Sequence, residues 1–138
     1  MPLTHEILKR FPNRVFVETG TFMGDGILKA VWVGFEQIYS IERSDYYYER
    51  AIESFKDFPN VCIIHGDSGI ELEKLLKEIN EPVTFWLDAH FSEQGTYEGD
   101  SPLFCELRTI FNHHIKNHVI LVDDIADHVE NNILICRL

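Results

Sequence analysis

The segment Glu18-Thr-Gly20-Thr-Phe-Met-Gly24-Asp-Gly26 decides the fold. It follows a strand-forming run, Arg14-Val-Phe-Val-Glu18, and opens onto an amphipathic stretch, Gly24–Phe35. In that stretch Ile27, Leu28, Val31 and Phe35 form an apolar stripe at helical spacing. Three glycines between a strand and a helix permit positive φ and let backbone approach a ligand closely. Two phosphate-binding patterns can be tested by counting. A dinucleotide fingerprint, GxGxxG, fails because its third glycine would fall on Lys29 counted from Gly24, and its second on Phe22 counted from Gly20. A P-loop fails because no Lys follows the second glycine. What remains is acidic-x-Gly-x-x-x-Gly-x-Gly between a strand and a helix.

Outward from this turn the same unit repeats. Gln37–Ile41 reads as a second strand, and Asp45–Phe58 as a helix capped by Ser44 or Asp45 and stopped by Pro59. Val61–Ile64 is a third strand, and Ser68–Ile79 a helix that buries Ile70, Leu72, Leu75, Leu76 and Ile79. Val83–Leu87 is a fourth strand, followed by a polar loop, Asp88–Asp100. Ser101 caps a further helix with Pro102 in its first turn and Leu103, Leu107, Ile110 and Phe111 as its stripe. His118–Val122 is a fifth strand, and beyond it only Ile133–Cys136 has strand character. Strands alternating with helices of about a dozen residues are βαβ units, and their near-continuous apolar runs suit a parallel sheet covered on both faces. The expectation is one α/β domain over residues 1–138, a Rossmann-like, doubly wound, mostly parallel sheet.

Composition narrows the function. Twelve Lys and Arg stand against 23 Asp and Glu, a net charge of −11, which argues against a nucleic-acid partner held through clustered cations. No apolar run reaches the ~18 residues of a membrane span, and Met1–Arg10 lacks a signal-peptide centre. Cys62, Cys105 and Cys136 are odd in number and scattered, which fits the reducing cytoplasm, and Cys62 and Cys105 read as small core residues.

Ligands of open α/β sheets bind beyond the carboxyl ends of the strands. Here those ends carry Glu18, Glu42, Gly66-Asp67-Ser68, Asp88 and Asp123-Asp124. A rim of carboxylates suits a ligand with hydroxyl, ammonium or sulfonium groups, or a divalent cation. With this rim and the glycine turn, the sequence resembles the class I S-adenosylmethionine (SAM)-dependent methyltransferases. Phe85-Trp-Leu-Asp88-Ala-His90 and Ile120-Leu-Val-Asp123-Asp124 are similar to their macrocin-type branch, metal-dependent O-methyltransferases acting on sugar hydroxyls.

The resemblance implies a cofactor lying against Glu18, Thr19, Gly20, Thr21, Gly24, Gly26, Glu42, Arg43, Asp67, Ser68 and Asp88. In it Glu42 faces the ribose hydroxyls and Asp67 the exocyclic amine of adenine. It implies Mg²⁺ on Asp88, Asp123 and Asp124, an oxygen-only set that leaves positions open for a chelating acceptor. A metal there would lower the pKa of a bound hydroxyl, with His90 or Asp88 as the base. The acceptor that the resemblance implies is a small hydroxylated, sugar-like molecule. Two rival readings stay open: a non-catalytic cofactor-binding or assembly protein, and an α/β metal-dependent hydrolase.

Several neighbours read as structural. His113, His114 and His118 are expected on the solvated end of a helix, Trp86 in the core, and His65 packing or lining the adenine edge. Of Tyr46, Tyr47 and Tyr48, one or two pack and the others meet solvent or the adenosine. Ser92–Asp100 is a candidate lid. The family's usual seventh strand forms an edge hairpin with the sixth, but 14 residues after Asp124 leave room for one strand only. The edge is then missing, lost by truncation or completed by a partner, which leads to an expected homodimer.

Overall fold

Strand side chains alternate between the two faces of a sheet, so each strand must feed two apolar layers at once. The computed structural model describes residues 3–87, 102–122 and 134–137. The chain runs α1 (His5–Lys9), β1 (Val15–Thr19), α2 (Asp25–Val33), β2 (Gln37–Glu42), α3 (Asp45–Ser54) and β3 (Val61–His65). It continues α4 (Ser68–Leu76), β4 (Val83–Leu87), α5 (Pro102–Phe111), β5 (Val119–Val122) and β6 (Leu134–Arg137). One sheet of order β3-β2-β1-β4-β5-β6 results. Its first five strands are parallel, and β6 lies antiparallel against β5. The doubly wound parallel sheet is as the alternation predicts.

Phe16, Ile38, Trp86 and Leu121 enter one layer with Leu8 of α1, Ile27 and Ala30 of α2 and Ala51 of α3. Val17, Ile41, Phe85 and Ile120 enter the other with Leu72, Leu75 and Leu76 of α4 and Ile110 of α5. Trp86 is core, as expected, at 3% exposure.

Three helical stripes are corrected at their margins. Leu28, Ile70 and Phe111 are exposed, each lying beside or two positions away from a residue that is buried instead: Ile27, Leu72 and Ile110. At 100° per residue a helix turns part of a broad apolar stripe away from the sheet, and these three side chains fall on that margin. Cys62 is exposed, not packed, because β3 is an edge strand; Cys105 is half-buried. Helix α1 has no counterpart in the sequence reading. Thr4 caps it, its Oγ1 accepting from Ile7 N at 3.2 Å. At the other end, β6 is the single C-terminal strand anticipated. No second edge strand occurs among the described residues, and none of their helices is long and apolar enough to cross a membrane.

The histidines are the largest correction. His118 is fully buried and His113 nearly so, whereas His114 is exposed and hydrogen-bonds Asn80. Val83 N donates to His118 Nδ1 at 3.0 Å, so the His118 proton sits on Nε2. Nε2 then donates to His113 Nδ1 at 2.9 Å, and His113 Nε2 donates to the carbonyls of Leu76 and Ile79. The chain of donors ties the end of α4 to β4 and the start of β5, at the sheet end away from the strand carboxyl termini. Protonating Nδ1 would break its bond to Val83. Burial, reinforced by neighbouring His113, accordingly lowers the His118 pKa to about 4.

A base with a depressed folded pKa takes up protons more readily when unfolded, so the stability it contributes is full above ~6.5 and lost as pH falls toward ~4. The stability advantage of wild type over His118→Gln is therefore expected to shrink between pH 6.5 and 4. Urea midpoints of the two proteins across that range check it.

Candidate functional site

β1 pairs with β2 on one side and β4 on the other, which makes its carboxyl end the switch point of the sheet. The glycine turn sits there. Gly20 N donates to Ile41 O at 2.8 Å, and Gly24 N to Thr21 O at 2.9 Å. Gly24 has φ +88°, and a side chain there would also meet the Phe55 ring at 2.9 Å. Gly26 is needed for space. A Cβ on it would lie 2.0 Å from Glu18 Oε2, so the first turn of α2 rests directly on that carboxylate. Glu18 is 1% exposed. Thr21 Oγ1 and Ser40 Oγ lie 2.5 Å apart, and Ser40 donates to Glu18 Oε1 at 2.7 Å, so Thr21 is left to donate to Ser40. A buried carboxylate under a helix N-terminus meets that end's partial positive charge. Glu18 and Thr21 thus build the loop from below.

Glu42, 8% exposed, works from the side. Its Oε2 accepts from Phe22 N at 3.0 Å and its Oε1 from Ser44 N at 2.7 Å. Phe22 has φ +48°, costly for a bulky residue, and the bond to Glu42 holds it there. An ionised carboxylate offers about four acceptor positions, so two remain on Glu42 for a ligand diol. Around it Phe22 packs on Tyr47 at 4.8 Å, and Tyr48 stacks on His65 at 4.5 Å. His65 Nε2 pairs with Asp45 at 2.9 Å, while Tyr46 is exposed, as is Arg43. The three tyrosines divide between packing and solvent as expected, whereas His65 is exposed and meets Tyr48 and Asp45 at the sheet edge.

Asp67 caps α4, its Oδ1 accepting from Gly69 N at 2.8 Å. Ser68 next to it donates to Glu106 Oε1 of α5 at 2.5 Å. Glu106 is fully buried, and burial pushes its pKa up to about 7 against the opposing pull of the Ser68 and Thr19 hydroxyls. Sequence reading passed over Glu106, although it was visible. It sits between Leu103 and Ile110 on the apolar face of its helix, where a charged residue is rare without a partner. Ser40, inside an apolar strand, gave the same kind of signal.

Asp88, His90, Asp123 and Asp124 lie outside the described residues, as do the candidate lid Ser92–Asp100 and Ser101. The described strands bring Leu87 and Val122, which precede Asp88 and Asp123 in sequence, into register. Among the described residues no group of three or more His, Cys, Asp or Glu is arranged to hold a metal ion.

Structural comparison places this site among known folds. PaMTH1, a methyltransferase of Podospora anserina solved with bound S-adenosylhomocysteine (SAH), superposes with a TM-score of 0.67 at 18% identity. The match covers 92% of this chain and 57% of that one. The fold is a methyltransferase fold. SMU.1697c of Streptococcus mutans, also in complex with SAH, matches with a TM-score of 0.61 at 12% identity, over 86% of this chain and 68% of that one. TomG, an O-methyltransferase of Streptomyces achromogenes in complex with SAM, gives 0.57 at 17% identity, over 91% and 59%. No family model matches the sequence, and no curated protein matches it.

Proposed function

We propose that this chain is a SAM-dependent methyltransferase domain that methylates a hydroxyl of a small, sugar-like acceptor with the help of Mg²⁺. The observation that carries the reading is the convergence, at the β1 switch point, of a glycine turn seated on Glu18 with Glu42 and Asp67 on the neighbouring strand ends. The methyltransferases of this fold solved with SAM or SAH support it.

The residues present fit that cofactor. Gly20, Gly24 and Gly26 keep side chains off the turn, and Glu42 has two acceptor positions left for the ribose hydroxyls. Asp67, which caps α4 through Oδ1, stands just beyond β3, where the resemblance places the adenine amine. Bound SAM supplies a methyl group already electrophilic on its sulfonium, so the chain has mainly to align donor and acceptor and remove the acceptor proton. The family resemblance implies Asp88, Asp123 and Asp124 as holders of the cation, and His90 or Asp88 would take that proton. Cytoplasmic location and pairing of two copies through a sheet edge belong to the same proposal.

Calorimetric titration with SAH tests the core of it, with micromolar binding expected. Absence of binding, together with metal-dependent hydrolysis, would replace it with the hydrolase reading. The metal part is separate. Asp123→Asn with Asp124→Asn should keep SAH binding and lose Mg²⁺-dependent turnover. If Mg²⁺ changes neither turnover nor stability of the wild type, that part fails.

A further inference from the structure

Two buried polar atoms at the rim have no hydrogen-bond partner: Glu106 Oε2 and Thr19 Oγ1. They belong together. Strand alternation turns Thr19 toward the layer of α4 and α5, and its hydroxyl is one of the groups acting on the Glu106 carboxyl. The other carboxyl oxygen is held by Ser68. Thr19 immediately precedes Gly20, and Ser68 immediately follows Asp67. One side chain from α5 therefore reaches toward both segments that the proposed cofactor would span. A purely structural strut would close both bonds. Here Ser68 closes one bond, while the Thr19 hydroxyl acts on the carboxyl without reaching full hydrogen-bond geometry, a costly state for two buried polar atoms.

We propose that Glu106 is a positioning residue of the cofactor site: through Ser68 and Thr19 it sets the spacing between the glycine turn and the start of α4, and its carboxyl gives up a proton to solvent when a cationic cofactor binds. The inference rests on the methyltransferase reading. Its physical basis is a carboxyl kept about half protonated near pH 7 in the free chain by burial and by the nearby Asp67 charge. Among the described residues Asp67 is the charged group acting on it; Thr19 from β1 and Ser68 from α4 are its polar neighbours, and Leu103, Leu107 and Ile110 of its own helix are apolar. A sulfonium and an ammonium entering this rim favour the ionised form. The carboxylate can then accept the Thr19 hydroxyl on Oε2, closing the open bond and drawing the end of β1 toward α4.

The test is calorimetric titration of wild type with SAM and with SAH at pH 7, in two buffers of different ionisation enthalpy. Wild type should release about half a proton per SAM bound, since a carboxyl titrating near 7 is half protonated there, and fewer per SAH, which lacks the sulfonium charge. Wild-type affinity for SAM should rise roughly three- to tenfold from pH 6 to pH 8. Glu106→Gln, which keeps the acceptor for Ser68, should retain binding but show a flat profile and no linked proton. Coincident pH profiles for wild type and E106Q would overturn the proposal, as would zero proton release by the wild type, a result that needs no variant to fold. Failure of wild type to bind either ligand would instead overturn the methyltransferase reading itself.

Discussion

Gly26→Ala is expected to lower the stability of the free protein by about 3–5 kcal/mol, the largest effect of any small substitution in the site. The added Cβ would sit 2.0 Å from Glu18 Oε2, so one of the two must move. Overpacking alone costs about 1–3 kcal/mol. Glu18 is 1% exposed and cannot swing to water, so yielding also means giving up the charged hydrogen bond from Ser40, worth about 1.5–3 kcal/mol. Against a native margin of about 5–15 kcal/mol this is a large share. The melting temperature should fall by about 10 °C or more. Gly34→Ala is the control: its site is open and its φ is +98°, so only the left-handed strain of about 1–2 kcal/mol applies. Glu18→Ala with Gly26→Ala should cost less than the two single changes together, because the first removes the atom the second strikes. Thermal unfolding of the four variants checks the account, and equal losses for Gly26→Ala and Gly34→Ala would refute it.

Glu42→Ala is expected to weaken SAH binding by about 100-fold or more, about 2.7 kcal/mol on the binding scale. Two separate losses add. The ribose loses a bidentate acceptor, and the turn loses the bond that holds Phe22 at φ +48° with its N–H pointed inward. Deleting an acceptor of two backbone N–H groups also destabilises the free protein by about 2–3 kcal/mol. Global stability does not explain a binding loss while the variant stays folded, because a small unfolded fraction barely changes an apparent Kd. Urea unfolding without ligand and calorimetry with SAH therefore separate the two roles. Glu42→Gln keeps one carbonyl acceptor and should fall between wild type and alanine in both. Unchanged SAH affinity in Glu42→Ala would dismiss Glu42 as a cofactor residue and leave it as a loop anchor.

Much of this site was legible because its parts are local. A glycine turn between β1 and α2 and an acid at the end of β2 are readable as strings, since backbone conformation and strand ends follow from neighbours in sequence. The same holds for Asp67 at the start of α4, which caps it through Gly69, two residues away. What the string could not show is where each carboxylate points. Glu18, Glu42 and Asp67 were read as one ligand-facing rim, yet Glu18 lies beneath α2, and Glu42 shares its oxygens with two backbone N–H groups. Strand alternation sends Glu18 and Thr19 to opposite layers, and only the helix packed on each layer decides what they meet.

The amino-acid sequence by itself determined the alternation of strands and helices from β1 onward and the parallel sheet. These depend on hydrophobic period, turn chemistry and connection length, all of which act over a few residues. Tertiary structure alone decided the buried pairs: His113 with His118, five residues apart but joined only once both are packed between α4 and β4, and Glu106 with Ser68, 38 residues apart. Such pairs form because a polar group carried inside on an apolar face must find a partner there, and packing, not chain proximity, chooses which one.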